Sequence, residues 1–139
     1  MNRFSAIAAA VALAAGSAPA FAQTVEVASG DWSNIPAIEP RGSQFIDEPT
    51  VLLLERIARS GDCEAAGFRR NSLDIRVPLL LRFQPDGGIE RIVLARSGCD
   101  ELDRHLGGIV LKLARAGEYQ GTGENQTGWY RSEFAFVSR

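Results

Sequence analysis

The stretch FQPDGGIERIVLARSGCDELDRHL, residues 83–106, carries the strongest structural signals in the chain. Its PDGG segment at 85–88 is typical of a tight turn, and the apolar run at 89–95 predicts the second strand of an antiparallel hairpin. The Ser-Gly pair at 97–98 ends that strand. The acidic residues that follow suit the first turn of a helix, because negative charge is favourable beside its unpaired amides. The stretch therefore predicts a strand, a turn, a strand and a helix.

The segment before this stretch, LDIRVPLLLRFQ at 73–84, alternates apolar and polar side chains and predicts a half-buried strand. One face of this strand carries the apolar residues Leu73, Ile75, Val77, Leu79, Leu81 and Phe83. Pro78 lies in the middle of the strand and has no N–H to donate, so it belongs at an edge or a bulge. The order of the strands in the sheet therefore stays open.

Two helices and a last strand complete the predicted domain. Asp47 or Glu48 can cap a short helix with Pro49 in its first turn and Gly61 after its end. The helix from residue 100 has one apolar face, formed by Leu102, Leu106, Ile109 and Leu113. The segment WYRSEFAFV at 129–137 predicts the last strand. These elements predict an α+β fold, with a three-stranded antiparallel sheet packed by one long helix and preceded by a short N-terminal helix.

The first 22 residues, MNRFSAIAAAVALAAGSAPAFA, have the pattern of a secretory signal peptide that is cut after Ala22. The alternative is a retained membrane anchor, but the apolar run is short for a span of about 20 residues. We expect a periplasmic or secreted protein with no stable membrane anchor after cleavage. The expected layout is a signal peptide at 1–22, an extended lead-in at 23–46 and one α+β domain at 47–139.

Charge and composition exclude several kinds of partner. The chain has 15 Lys and Arg residues against 17 Asp and Glu residues, a formal net charge of −2. A nucleic-acid partner would require a basic face, so none is expected. Two cysteines and one histidine cannot supply four tetrahedral ligands, so we expect no metal site and no cofactor.

The only cysteines are Cys63 and Cys99. An even number of cysteines in an exported chain favours a disulfide, and the alternative is two free thiols. A bridge between Cys63 and Cys99 would join the end of the first helix to the start of the second. On the chain-entropy model it would stabilise the fold by about 4 kcal/mol.

The order of these elements, and the residues at the turns and at the helix start, resemble the C-terminal domain of the TonB-like proteins. The resemblance covers residues 73–137. It rests on the strand at 77–83, the turn Pro85-Asp86-Gly87, Ile89, Ile92-Val93-Leu94, Arg96-Ser97-Gly98, Leu102-Asp103, a helix end near Tyr119, and Phe134-Ala135-Phe136. It implies a protein-binding module of the cell envelope rather than an enzyme. The implied partner is an envelope protein, such as an outer-membrane transporter, whose extended segment adds to an edge of the sheet.

In the resembling family the last strand lies at the open side of the sheet. We therefore predict that a partner segment adds beside Tyr130, Arg131, Ser132, Glu133 and Phe134. The alternative for Arg131 and Glu133 is a solvated face with no partner. Two other functions stay open: a small exported hydrolase that uses His105, the only histidine, and a structural domain that pairs with itself as a homodimer.

Overall fold

The computed structural model describes residues 22, 24–41, 46–120 and 127–138. The predicted signal peptide lies outside these residues except for Ala22. The described residues form seven elements, in chain order: β1 (Val25–Ala28), α1 (Glu48–Arg59), β2 (Ala66–Arg69), β3 (Ser72–Phe83), β4 (Ile89–Ala95), α2 (Asp100–Arg115) and β5 (Gly128–Ser138).

All five strands form one mixed sheet with β3 at its centre. β5 pairs antiparallel along β3 from Leu73 to Phe83. β2 and β4 both pair antiparallel with the opposite side of β3, and β1 pairs parallel with β4. The predicted three-stranded antiparallel sheet with one long helix is therefore wrong, although the general α+β class fits. The error has a local cause, because β1 and β2 have only four residues each and give no sustained alternation.

Pro78 is accommodated in the central strand by the way in which its neighbours are arranged. β2 pairs with β3 as far as Ile75, whereas β4 pairs with it from Leu79 onwards. Pro78 lies between these two sets of pairs, so neither neighbour requires its missing N–H. On the other side it is opposite Glu133 of β5.

The hairpin turn between β3 and β4 has the predicted sequence chemistry. The Gln84 N–H donates to the Gly88 carbonyl at 2.8 Å, and the Gly88 N–H donates to Asp86 Oδ1 at 2.8 Å. Gly87 has a φ of +84°, a value that favours glycine. The turn therefore returns the chain directly into β4.

Both helices pack on the same face of the sheet, which we call the helix face. The core contains Leu54 and Ile57 of α1 and Leu102, Leu106 and Val110 of α2, all 2 % exposed or less. These side chains meet the buried side chains of the strands: Leu73, Ile75, Val77, Leu79, Leu81, Phe83, Ile92, Leu94 and Phe134. In the described part of the chain, no helix is both long enough and apolar enough to span a bilayer.

The segment at 29–41, which we call the crossing segment, runs across the sheet from β1, the outer strand on one side, to β5, the outer strand on the other side. It leaves β1, and Trp32 and Ser33 then lie near Pro78 and Ala95 on the face opposite the helices, which we call the second face. Residues 36–38 reach the outer edge of β5. The Arg41 N–H finally donates to the Glu118 carbonyl at 2.6 Å, beyond α2. Part of the predicted lead-in is thus integrated into the sheet.

Candidate functional site

The outer edge of β5 is paired with the crossing segment at Arg131. The Arg131 N–H donates to the Pro36 carbonyl at 2.8 Å, and the Arg131 carbonyl accepts from the Ile38 N–H at 2.8 Å. The two chains run parallel there, with Ala37 opposite Arg131. The Arg131 side chain adds a third bond, from Nε to the Ile35 carbonyl at 2.8 Å. The predicted partner edge therefore accepts an extended segment, and here that segment comes from the chain itself.

The strand geometry determines which predicted site residues face this edge. The main-chain groups of Arg131 point outward, and successive residues of a strand alternate, so those of Glu133 also point outward. The main-chain groups of Tyr130, Ser132 and Phe134 point toward β3. The sequence prediction treated all five residues as one edge, whereas the alternation divides them into two sets.

The side chains of these five residues divide in the same way. Phe134 is completely buried on the helix face, and the Tyr130 ring packs edge-on against Phe83 with 5.7 Å between the ring centroids. Ser132 Oγ is also buried there, without a hydrogen-bond partner among the described residues. Arg131 and Glu133 are exposed on the second face. Tyr130, Ser132 and Phe134 thus hold the strand in place, while the side chains of Arg131 and Glu133 lie on the second face.

An open groove of about 1010 Å³ lies between the crossing segment and the second face. Its floor includes Arg76, Pro78 and Glu133, and its wall includes Trp32 and Ile38. The groove thus adjoins the edge of β5 at which the crossing segment pairs. The apolar side chains of the lead-in, Trp32, Ile35 and Ile38, suggested contact with the domain, but no periodic pattern indicated where on the sheet they would lie.

Several charged side chains in and near the groove are paired with one another. Arg76 lies 3.1 Å from Asp74 and 3.6 Å from Glu133. Further along the same face, Arg91 holds Glu26 with two bonds of 2.9 and 3.0 Å. These pairs are exposed and contribute little to stability. They leave the face with mixed charge, which gives no preference for a polyanion.

The two cysteines lie side by side at the break in the pairing of β3. Cys63 precedes β2, and Cys99 follows β4. Both are free thiols in the structure, Cys63 buried and Cys99 half-buried. Burial and the hydrogen bond with the neighbouring Cys99 thiol raise the pKa of Cys63 to about 12. The predicted pairing partners are therefore adjacent, and the bond between them stays a prediction.

The hydrolase alternative would require His105 to lie beside a serine, Ser97 or Ser132, and an acid such as Asp103. Asp103 Oδ1 accepts from the main-chain N–H of Ser97 at 3.1 Å, and Ser97 Oγ lies 3.3 Å from the Cys99 carbonyl. His105 is half-buried on α2, and its side chain makes no hydrogen bond or ion pair within the described part of the chain. Among the described residues no hydrogen bond links the His105 side chain to Ser97, Ser132 or Asp103, and the hydrolase alternative stays a prediction.

No protein-family model matches the chain, and comparisons with curated proteins and with solved structures gave no match either. The resemblance to the TonB C-terminal domain thus rests on the sequence motifs at 73–137.

Proposed function

We propose that this protein is a binding module of the cell envelope, which takes an extended segment of a partner protein along the outer edge of β5. One observation carries the proposal: the main chain of Arg131 is already bonded on both its N–H and its carbonyl by an extended segment. The resemblance to TonB-like domains supports the same mode of binding. The expected location in the envelope rests on the signal-peptide pattern at 1–22.

Strand addition at this edge would provide both affinity and selectivity. Main-chain hydrogen bonds provide affinity for any extended segment, and the side chains that alternate along the edge select among sequences. Arg131 and Glu133 offer one cationic and one anionic side chain, and the adjoining groove offers space for the side chains of the partner. Such a site suits a peptide of mixed polarity.

The proposal is tested by a photo-crosslinking amino acid at position 137, where Val137 is 47 % exposed on the same strand. The matched control carries the crosslinker at position 104, because Arg104 is exposed on α2. We expect a discrete adduct with an envelope protein from position 137 and none from position 104. Equal labelling from the two positions would contradict a binding edge on β5.

A second pair of variants tests whether main-chain bonds hold the partner. Glu133→Pro removes an N–H that points outward, and proline is tolerated at such edge positions. Glu133→Ala removes the same side chain and keeps the N–H. With the crosslinker at 137, we expect the adduct to be lost with proline and kept with alanine. If both variants keep it, with circular dichroism unchanged, strand addition at this point is wrong.

A further inference from the structure

The segment IPAI at 35–38 occupies the proposed binding edge, and we infer that it is a built-in competitor that a partner segment must displace. The inference rests on the proposed function and adds the kind of segment that binds and the way in which binding is limited. The crossing segment makes its main-chain bonds to Arg131 of β5 at this point.

The bonds of this segment define the chemistry that the edge accepts. Pro36 contributes only its carbonyl, so a proline fits there although it has no N–H. The donor is required two residues later, where the Ile38 N–H bonds the Arg131 carbonyl. Ala37 is exposed between them, whereas Ile38 is half-buried against the core. The edge therefore suits an extended segment that runs parallel to β5 and has the order proline, small residue, large apolar residue.

The competitor is held locally by few bonds but cannot diffuse away. It forms one bridge with β5, whereas the opposite side of β5 pairs with β3 at eleven positions. On one side of the bridge the chain continues into β1. On the other side, Arg41 bonds the Glu118 carbonyl at 2.6 Å. The segment therefore stays near the edge at a high effective concentration, and a partner competes with it for Arg131.

The apparent affinity for a partner is consequently reduced by the fraction of molecules in which the edge is occupied. Ile38→Pro removes the N–H that bonds Arg131 and raises the open fraction. Ile38→Ala is the matched control, because it shortens the side chain and keeps the N–H. One net main-chain hydrogen bond corresponds to roughly a five- to tenfold change in an equilibrium constant.

The experiment uses the full chain and a fluorescent synthetic peptide, SNIPAIEP, which copies residues 33–40. Fluorescence anisotropy measures the binding of the peptide, and hydrogen exchange measures the protection of the Arg131 amide. We expect Ile38→Pro to bind the peptide about five- to tenfold more tightly than Ile38→Ala. The Arg131 amide should exchange faster in the proline variant and regain protection when the peptide is added.

Three results would overturn the inference. The peptide could bind both variants equally, or neither variant could bind it. The unmodified chain could also form concentration-dependent dimers that the peptide dissociates, in which case the occupant of the edge is a second copy. The crosslinking adduct from position 137 tests the proposed function separately, so a failure of the inference can be distinguished from a failure of the proposed function.

Discussion

Asp103 fixes the loop between β4 and α2. Its Oδ1 accepts from the Ser97 N–H at 3.1 Å, and its own N–H donates to the Cys99 carbonyl at 3.0 Å. Gly98, between these two partners, has a φ of +85°, which favours glycine. The Ser-Gly and Leu-Asp pairs that carry part of the resemblance therefore have a structural explanation: they shape the turn that leads into the helix.

Replacement of Asp103 by alanine should destabilise the fold. Asp103 is only 5 % exposed, so the variant leaves the Ser97 N–H without its acceptor in a partly buried position. A buried donor without a partner costs about 1–3 kcal/mol. Urea unfolding should show a loss of this size for Asp103→Ala and a loss below about 1 kcal/mol for Asp100→Ala, an exposed acid in the same helical turn. Equal losses for the two variants would show that the effect comes from removing negative charge at the start of the helix and not from the hydrogen bond to Ser97.

The raised pKa of Cys63 predicts a loss of stability in alkali for the reduced protein. The pKa of this thiol increases from 9.0 to about 12 on folding. Above pH 9 the unfolded chain therefore releases a proton that the folded chain keeps, and stability falls by up to about 1.4 kcal/mol per pH unit toward pH 12. Below pH 9 this thiol is protonated in both states and contributes no pH dependence to the stability.

Urea midpoints measured under reducing conditions at pH 8 and pH 10 would check this prediction. The control is Cys63→Ala, which should lose less stability between the two values. A variant that loses as much as the unmodified chain would show that other groups cause the alkaline effect.

At the scale of the elements, long periodic patterns could be predicted and short segments could not. β3 has twelve residues and α2 has sixteen, and each has a recognisable apolar period. β1 and β2 have four residues each. β2 forms a tight hairpin with the start of β3, whereas the position of β1 is set by pairing with β4, far along the chain. The occupant of the β5 edge escaped prediction for the same reason, because Arg131 and Ile35 are 96 residues apart in the chain.

The two glycines in the middle of α2 offer a test at this scale. Glycine costs about 1 kcal/mol relative to alanine inside a helix. A Cβ at Gly108 would meet nothing within 4 Å, and a Cβ at Gly107 would meet Val25 Cβ at an ordinary contact distance of 3.7 Å. Lack of space for a side chain therefore requires glycine at neither position.

Gly108→Ala should therefore stabilise the protein by roughly 0.5–1 kcal/mol, as measured by urea unfolding. Gly98→Ala is the contrasting control. It also has open space around its Cβ, but its φ of +85° makes alanine strained, so this variant should be less stable. If Gly108→Ala destabilises the fold instead, α2 requires glycine for a reason other than space.

At the scale of the whole molecule, distant parts of the chain meet at two places around β3 and its neighbour β5. At the edge of β5 the crossing segment provides main-chain partners for Arg131. On the opposite side of β3, the pairing breaks between Ile75 and Leu79, and Cys63 and Cys99 lie just outside the ends of β2 and β4 that border this break. A covalent bond there would connect two strands that do not pair with each other.

Oxidation of the pair should therefore stabilise the whole fold. Oxidised glutathione can serve as the oxidant: the two thiols lose two protons and two electrons, and the reagent becomes two molecules of glutathione. Cys99 should react first, because it is half-buried, whereas Cys63 is buried and has a raised pKa. Closing this loop should increase the free energy of unfolding by about 4 kcal/mol.

The measurement compares urea unfolding of the same chain before and after oxidation, so that no substitution disturbs the core. Cys99→Ser is the control, because it cannot form the intramolecular bond and its stability should not increase with the oxidant. Mass spectrometry of the oxidised unmodified chain, without reducing agent, should find a mass lower by two hydrogens. Two intact thiols after this treatment would show that the adjacent cysteines do not form a bond, and the break beside Pro78 would then be held by packing alone.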